Sequence, residues 1–134
     1  MRKLITALLL CLALAFLSQT ARAGEPTAAD LISGAPQALP VPGRVTMVDL
    51  GAHACIPCKM MTPIIEELSR EYEGKVAIAF IDVWKHHDEV AKYGIRAIPT
   101  QIFYDARGKE RFRHIGFMDK ESIKAKLTEL GAAD

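Results

Sequence analysis

Cys55-Ile56-Pro57-Cys58 sets two cysteines two residues apart, and this pair carries most of the chemistry legible in the sequence. An apolar stretch from Val45 to Leu50 precedes it. Met61, Ile64, Ile65, Leu68 and Tyr72 follow at intervals of three and four, which predicts a strand feeding a helix that opens at the pair. A helix N-terminus presents unpaired N–H groups and the positive end of the macrodipole, and both favour a thiolate. Cys55 is therefore expected at that terminus, exposed and activated, with Cys58 one turn in and shielded. Pro57 suits the first turn, where its missing N–H costs nothing. The chemistry that follows is thiol–disulfide exchange, in which the outer thiolate attacks a substrate disulfide and the inner thiol resolves the mixed disulfide. A tetrahedral zinc site would need two more ligands, and there is no second cysteine pair. As a structural staple the pair is poor, because the loop it closes is tiny.

Asp49 is the one charged residue in the apolar stretch before the pair. A carboxyl on a central strand is desolvated, which pushes its pKa upward into a range useful for proton transfer. The plainer reading is an aspartate satisfied by a backbone amide. His53, two residues before Cys55, would favour a thiolate when protonated, and is otherwise a solvated loop histidine. His86-His87 with Met60-Met61 offers ligand types that copper accepts. Met61, however, falls on the buried face of the helix and the histidines precede a helix start, so core and capping roles are preferred.

These residues need a scaffold, and the rest of the chain supplies one. Val76 to Val83 is nearly continuous in apolar residues, as expected of a central strand covered on both faces. Asp88 is placed to cap a short helix through Tyr93 that Gly94 ends. Thr100–Tyr104 and Arg111–Ile115 flank Asp105-Ala106-Arg107-Gly108, a strand–turn–strand signal. Asp119 caps a last helix carrying Ile123, Leu127 and Leu130, stopped by Gly131. The order β-α-β-α-β-β-α implies an α/β domain over residues 45–134, with a mixed sheet and helices on both faces. Residues 24–44, with Pro36, Pro40 and Pro42, read as an irregular arm after a short helix over Ala28–Ser33. Composition leaves open whether the arm lies on the domain or acts as a tether.

Residues 1–23 differ from the rest. Arg2 and Lys3, an apolar run from Leu4 to Leu17 and Ala21-Arg22-Ala23 describe a secretory signal peptide cut before Gly24. The run falls short of the about 20 apolar residues that span a bilayer. Bulky Leu10 before Cys11 argues against a lipid anchor. Without Arg2, Lys3 and Arg22 the 17 basic residues fall to 14 against 16 acidic ones, a formal charge of −2. That balance gives no reason to expect nucleic-acid or anionic-membrane binding.

Val48-Asp49, Cys55-x-Pro57-Cys58-Lys59, Pro63, Tyr93-Gly94-Ile95-Arg96, Ile98-Pro99-Thr100 and Gly116 resemble the thioredoxin family in order and spacing, over about Val45 to Gly131. The resemblance implies a thioredoxin-like fold whose central mixed sheet has about four strands flanked by helices. It also implies a cis peptide bond before Pro99, which should lie against the cysteine pair. Ile56, Pro57, Ile98 and Pro99 would then meet the substrate, and Asp49 would shuttle a proton for Cys58. Departures occur where partners dock. Ala54 and Gly51 stand where the family carries tryptophans, Ile56 replaces a glycine, and Phe80 matches a lysine near the buried acid. The ring of Trp84 is expected either in part of the space opened at Gly51 or in a simple core or surface role. The implied activity is that of an exported, periplasmic thiol–disulfide oxidoreductase that reduces protein disulfides. It would be a monomer without a cofactor beyond the Cys55–Cys58 disulfide, recharged by a membrane thiol reductase. The alternative is a copper-binding or copper-delivery module on the same fold, against which the two-residue cysteine spacing argues.

Overall fold

The computed structural model describes residues 24–132. The expected leader, Cys11 included, lies outside the described residues. The elements are α1 (Ala28–Leu31), β1 (Thr46–Gly51), α2 (Ile56–Glu71), β2 (Ala77–Asp82), α3 (Asp88–Tyr93), β3 (Thr100–Tyr104), β4 (Glu110–Ile115) and α4 (Lys120–Glu129). From β1 onward this is the order expected from the sequence.

The strands form one four-stranded sheet in the order β2-β1-β3-β4. β1 runs parallel to β2 and antiparallel to β3, and β3 and β4 are antiparallel. A parallel neighbour requires a long crossover, which α2 provides, whereas β3 and β4 need only a tight turn. In that turn Asp105 N–H donates to the Lys109 carbonyl at 3.0 Å, and Gly108 takes φ 79°.

Side chains alternate across the sheet and separate two cores. On one face Met47, Ile78, Phe80 and Phe103 pack with Met61, Ile65 and Leu68 of α2 and with Ile123 and Leu127 of α4. On the other, Val48, Leu50, Ala79, Ile81 and Ile102 pack with Tyr93 of α3 and with Ile95. Pro63 lies inside α2, and the helix continues through it to Glu71.

Two expectations are corrected here. β2 is not a central strand; it ends the ladder beside β1. Its residues are nevertheless all buried, because the arm covers that edge. Gly34 forms an isolated parallel bridge with Ile81, and its carbonyl accepts the Asp82 N–H at 2.9 Å. Leu31 and Val41 of the arm are buried in the second core, so the arm lies on the domain. A continuous apolar run reports coverage of both faces; it does not count hydrogen-bonded neighbours. The second correction concerns α3, whose N-cap is His87, with Asp88 the first helical residue. By contrast Asp119 caps α4 as expected, accepting the Ser122 N–H at 2.9 Å.

Candidate active site

Cys55 stands at the N-terminus of α2. Its backbone is extended (φ −78°, ψ 127°), while its carbonyl already accepts the Lys59 N–H at 3.0 Å. No side chain caps this end, and Pro57, the second helical residue, brings no N–H that needs a partner. Cys55 and Cys58 are joined in a disulfide, their Cα atoms 5.2 Å apart.

Cys55 is 8% exposed and Cys58 3%. The ranking agrees with the sequence reading, but the freely exposed Cys55 expected there is not found. In the disulfide both cysteines share a small apolar cluster with Ala52, and the partly buried Ile98 packs against it. Exposure falls instead to Ile56, at 77%, with Pro57 beside it. The Ile98–Pro99 peptide is cis, as is Leu39–Pro40. Pro99 is buried, and its carbonyl accepts the Gly116 N–H at 2.8 Å.

Gly51, at the end of β1, permits a close approach. A Cβ there would lie 3.3 Å from Cβ and Sγ of Cys58 and 3.3 Å from a ring carbon of Phe80. Phe80 and Cys58, not Trp84, therefore occupy the space left by the missing side chain. Phe80 gets there because it pairs with Asp49 in the β1–β2 register and lies on the same face. Trp84 is 52% exposed and lines a shallow groove with His87, Val90 and Ile98.

Asp49 shares its sheet face with Gly51, two residues on, and so lies on the side where Cys58 rests. The carboxyl is fully buried, and burial pushes its pKa up to about 7 against the opposing pull of a hydrogen bond from Gln101. Gln101 Nε2 donates to Asp49 Oδ1 at 2.7 Å, and Asp49 Oδ2 has no partner. The two residues are directly opposite in the β1–β3 register. Sequence reasoning misses Gln101. The available signal is a second polar residue inside an apolar strand, which needs a buried partner just as Asp49 does.

His53 is neither a free loop histidine nor turned to solvent alone. Its Nδ1–H donates to Asp82 Oδ2 at 2.6 Å, its backbone N–H donates to the same oxygen at 3.2 Å, and its ring meets Phe80 edge-on. Asp82 Oδ1 accepts the N–H groups of Trp84 and Lys85. Burial pushes the Asp82 carboxyl up, but these hydrogen bonds, led by that of the His53 ring, outweigh it and hold the pKa below its ordinary value.

Met61 is buried, and its sulfur accepts the Met118 N–H at 3.4 Å, which is a core role. Among the described residues no three His, Cys, Asp or Glu side chains converge on a metal position.

A cysteine pair joined at an uncapped helix N-terminus, on the same sheet face as a buried carboxyl, defines a dithiol redox protein of the α/β class. The thioredoxin family model matches residues 37–129. Thioredoxin 2 of Chlorobaculum tepidum is 41% identical over 86 residues, covering 64% of this chain and 78% of that protein. A thioredoxin of Staphylococcus aureus is 40% identical over 83 residues, covering 62% and 79%. Among solved structures, Fasciola hepatica thioredoxin superimposes with a TM-score of 0.58 at 33% identity, over 66% of this chain and 82% of that one. A mutant thioredoxin from Halobacterium salinarum gives 0.60 at 26%, over 69% and 79%. The chain belongs to the thioredoxin family and is a thiol–disulfide oxidoreductase. Thioredoxins act on protein disulfides and need no cofactor, the redox couple being the cysteine pair itself.

Proposed function

We propose that this protein is an exported reductant of protein disulfides, with Cys55 as nucleophile, Cys58 as resolving thiol and Asp49 as proton carrier. The observation that carries the reading is the placement of Cys55 at the uncapped start of α2 with Cys58 behind it, on the face that buries Asp49. The Cys55 thiolate attacks one sulfur of a substrate disulfide, forming a mixed disulfide and expelling the other sulfur as a thiolate. Cys58 then passes its proton to Asp49 and attacks Cys55 Sγ, releasing the second substrate thiolate. The substrate gains two electrons, the Cys55–Cys58 bond forms, and the released thiolates take protons from water. Ile56 and Pro57 on the exposed side, with Ile98 packed against the cysteine cluster, form the surface along which an extended substrate lies, and the buried cis Pro99 fixes the backbone that follows Ile98.

The leader pattern over residues 1–23 supports export to the periplasm after cleavage before Gly24. In that oxidising space a membrane thiol reductase returns the electrons, and Asp49 returns its proton to Cys58. In this reading the protein acts as a monomer, since Cys55, Cys58 and Asp49 belong to one chain.

The test uses protein recovered from the exported fraction. It should begin at Gly24 and catalyse insulin reduction by dithiothreitol. Cys58→Ser should stall as a mixed disulfide with insulin on a non-reducing gel, and Cys55→Ser should trap little. Retention of Met1 would overturn export. Trapping through Cys58 instead of Cys55 would overturn the assignment of roles.

A further inference from the structure

We propose that Gln101 is a positioning residue of the redox site: its amide holds the buried Asp49 carboxyl in both protonation states, turning over as the proton arrives and leaves. The proposal rests on the reading of Asp49 as proton carrier for Cys58.

The geometry is a cross-strand pair. Asp49 and Gln101 face each other in the antiparallel register of β1 and β3, and neither is exposed. One hydrogen bond joins them, from Gln101 Nε2 to Asp49 Oδ1 at 2.7 Å. Each residue then keeps one buried polar atom without a partner, Asp49 Oδ2 and Gln101 Oε1. Orphans of this kind are rare, and two on one pair call for a cause.

Side-chain chemistry supplies it. An ionised carboxylate only accepts, so it needs the amide N–H; a protonated carboxyl carries an O–H and needs the amide oxygen. Glutamine holds both groups on one plane, and its terminal torsion is broad and two-fold, so a half-turn exchanges Nε2 for Oε1. The arrangement seen is the one suited to carboxylate. After the half-turn, an O–H on Asp49 Oδ1 donates to Oε1, and the orphan place on the glutamine passes from Oε1 to Nε2 while Asp49 Oδ2 keeps its own. A leucine at 101 would leave the carboxyl with neither partner.

Little else competes for the carboxyl. Across the parallel ladder its neighbour is Phe80; along β1 on the same face lie Met47 and Gly51; from α2 the titratable group on that face is Cys58, seated against Gly51. Burial and Gln101 alone shift its ionisation, in opposite directions.

The first measurement needs no variant. In oxidised wild-type protein the Gln101 side-chain amide resonances should shift between about pH 4 and pH 9, with the same midpoint as the ¹³C carboxyl signal of Asp49. Amide resonances that ignore the Asp49 titration would overturn the turnover of the amide. The second compares Gln101→Leu with Gln101→Met, which keeps an unbranched chain and removes only the amide. The Asp49 midpoint should rise by about one pH unit, because a charge-assisted hydrogen bond is roughly twice as strong as a neutral one. The pH profile of mixed-disulfide resolution should rise with it. An unmoved Asp49 midpoint in a folded variant overturns the proposal. If the midpoint moves while Asp49→Asn leaves resolution untouched, the pairing stands and the proton-carrier reading of Asp49 falls instead.

Discussion

Asp49 and Asp82 occupy neighbouring strands, both are shut off from water, and they are held in opposite conditions. Asp49 receives one hydrogen bond and keeps an orphan oxygen, and its pKa stands raised to about 7. Asp82 receives the His53 ring and three backbone N–H groups, and its pKa stands lowered. Burial raises both; the number of donors decides the outcome. A carboxyl with four donors is a clasp that fastens the loop before Cys55 to the end of β2. With one donor and an orphan oxygen, a buried carboxyl is held toward its protonated form.

The comparison fixes opposite pH signatures. Unfolded Asp49 titrates near 3.8 and folded Asp49 near 7, so between those values the folded chain binds more protons and stability falls as pH rises. Above about 7 the penalty is fully present, and a midpoint raised from 3.8 to about 7 corresponds to roughly 4 kcal/mol. This is the largest effect expected. Asp49→Asn should unfold at markedly higher urea than wild type at about pH 8 and at a similar concentration near pH 4. Equal midpoints at about pH 8 would break the contrast, by showing that the carboxyl is not held against ionisation.

For Asp82 the sign reverses. Its folded pKa lies below 3.8, so its contribution is present above that value and is lost as pH falls through the folded one. Asp82→Ala should cost about 3 kcal/mol at neutral pH, since it strips the acceptor from the N–H groups of His53, Trp84 and Lys85. Chemical denaturation measures it. A loss below about 1 kcal/mol would mean that water replaces the carboxylate and that the clasp is dispensable.

How much of this contrast can be read from sequence follows from the range of each signal. The β1–α2 junction is legible because strand and helix periods meet at the cysteines, and residue type alone marks Cys55, Cys58 and Asp49. The position of β2 is not, because an apolar run records coverage and the cover comes from the arm. Gln101 escapes because its partner lies 52 residues away and only the β1–β3 register joins them. The clasp escapes similarly, its members being 29 residues apart. Trp84 does not fill the space at Gly51 because that space belongs to whichever side chain the register brings there, and that is Phe80.

The smallest effect sharpens the clasp. His53 is the only side-chain donor to Asp82 among the described residues, with its own ring half in solvent. A hydrogen bond within a protein contributes about 0.5 to 1.5 kcal/mol net, and this one joins a half-exposed ring to a buried carboxylate. His53→Ala should therefore cost about 1 kcal/mol, with the backbone N–H of residue 53 still holding Asp82 Oδ2. The double-mutant cycle with Asp82→Ala makes the claim specific. If the ring acts through the carboxylate, His53→Ala adds almost nothing once Asp82 is gone. If the two losses add in full, the ring stabilises the loop through its edge-on contact with Phe80, and the clasp is made by the backbone alone.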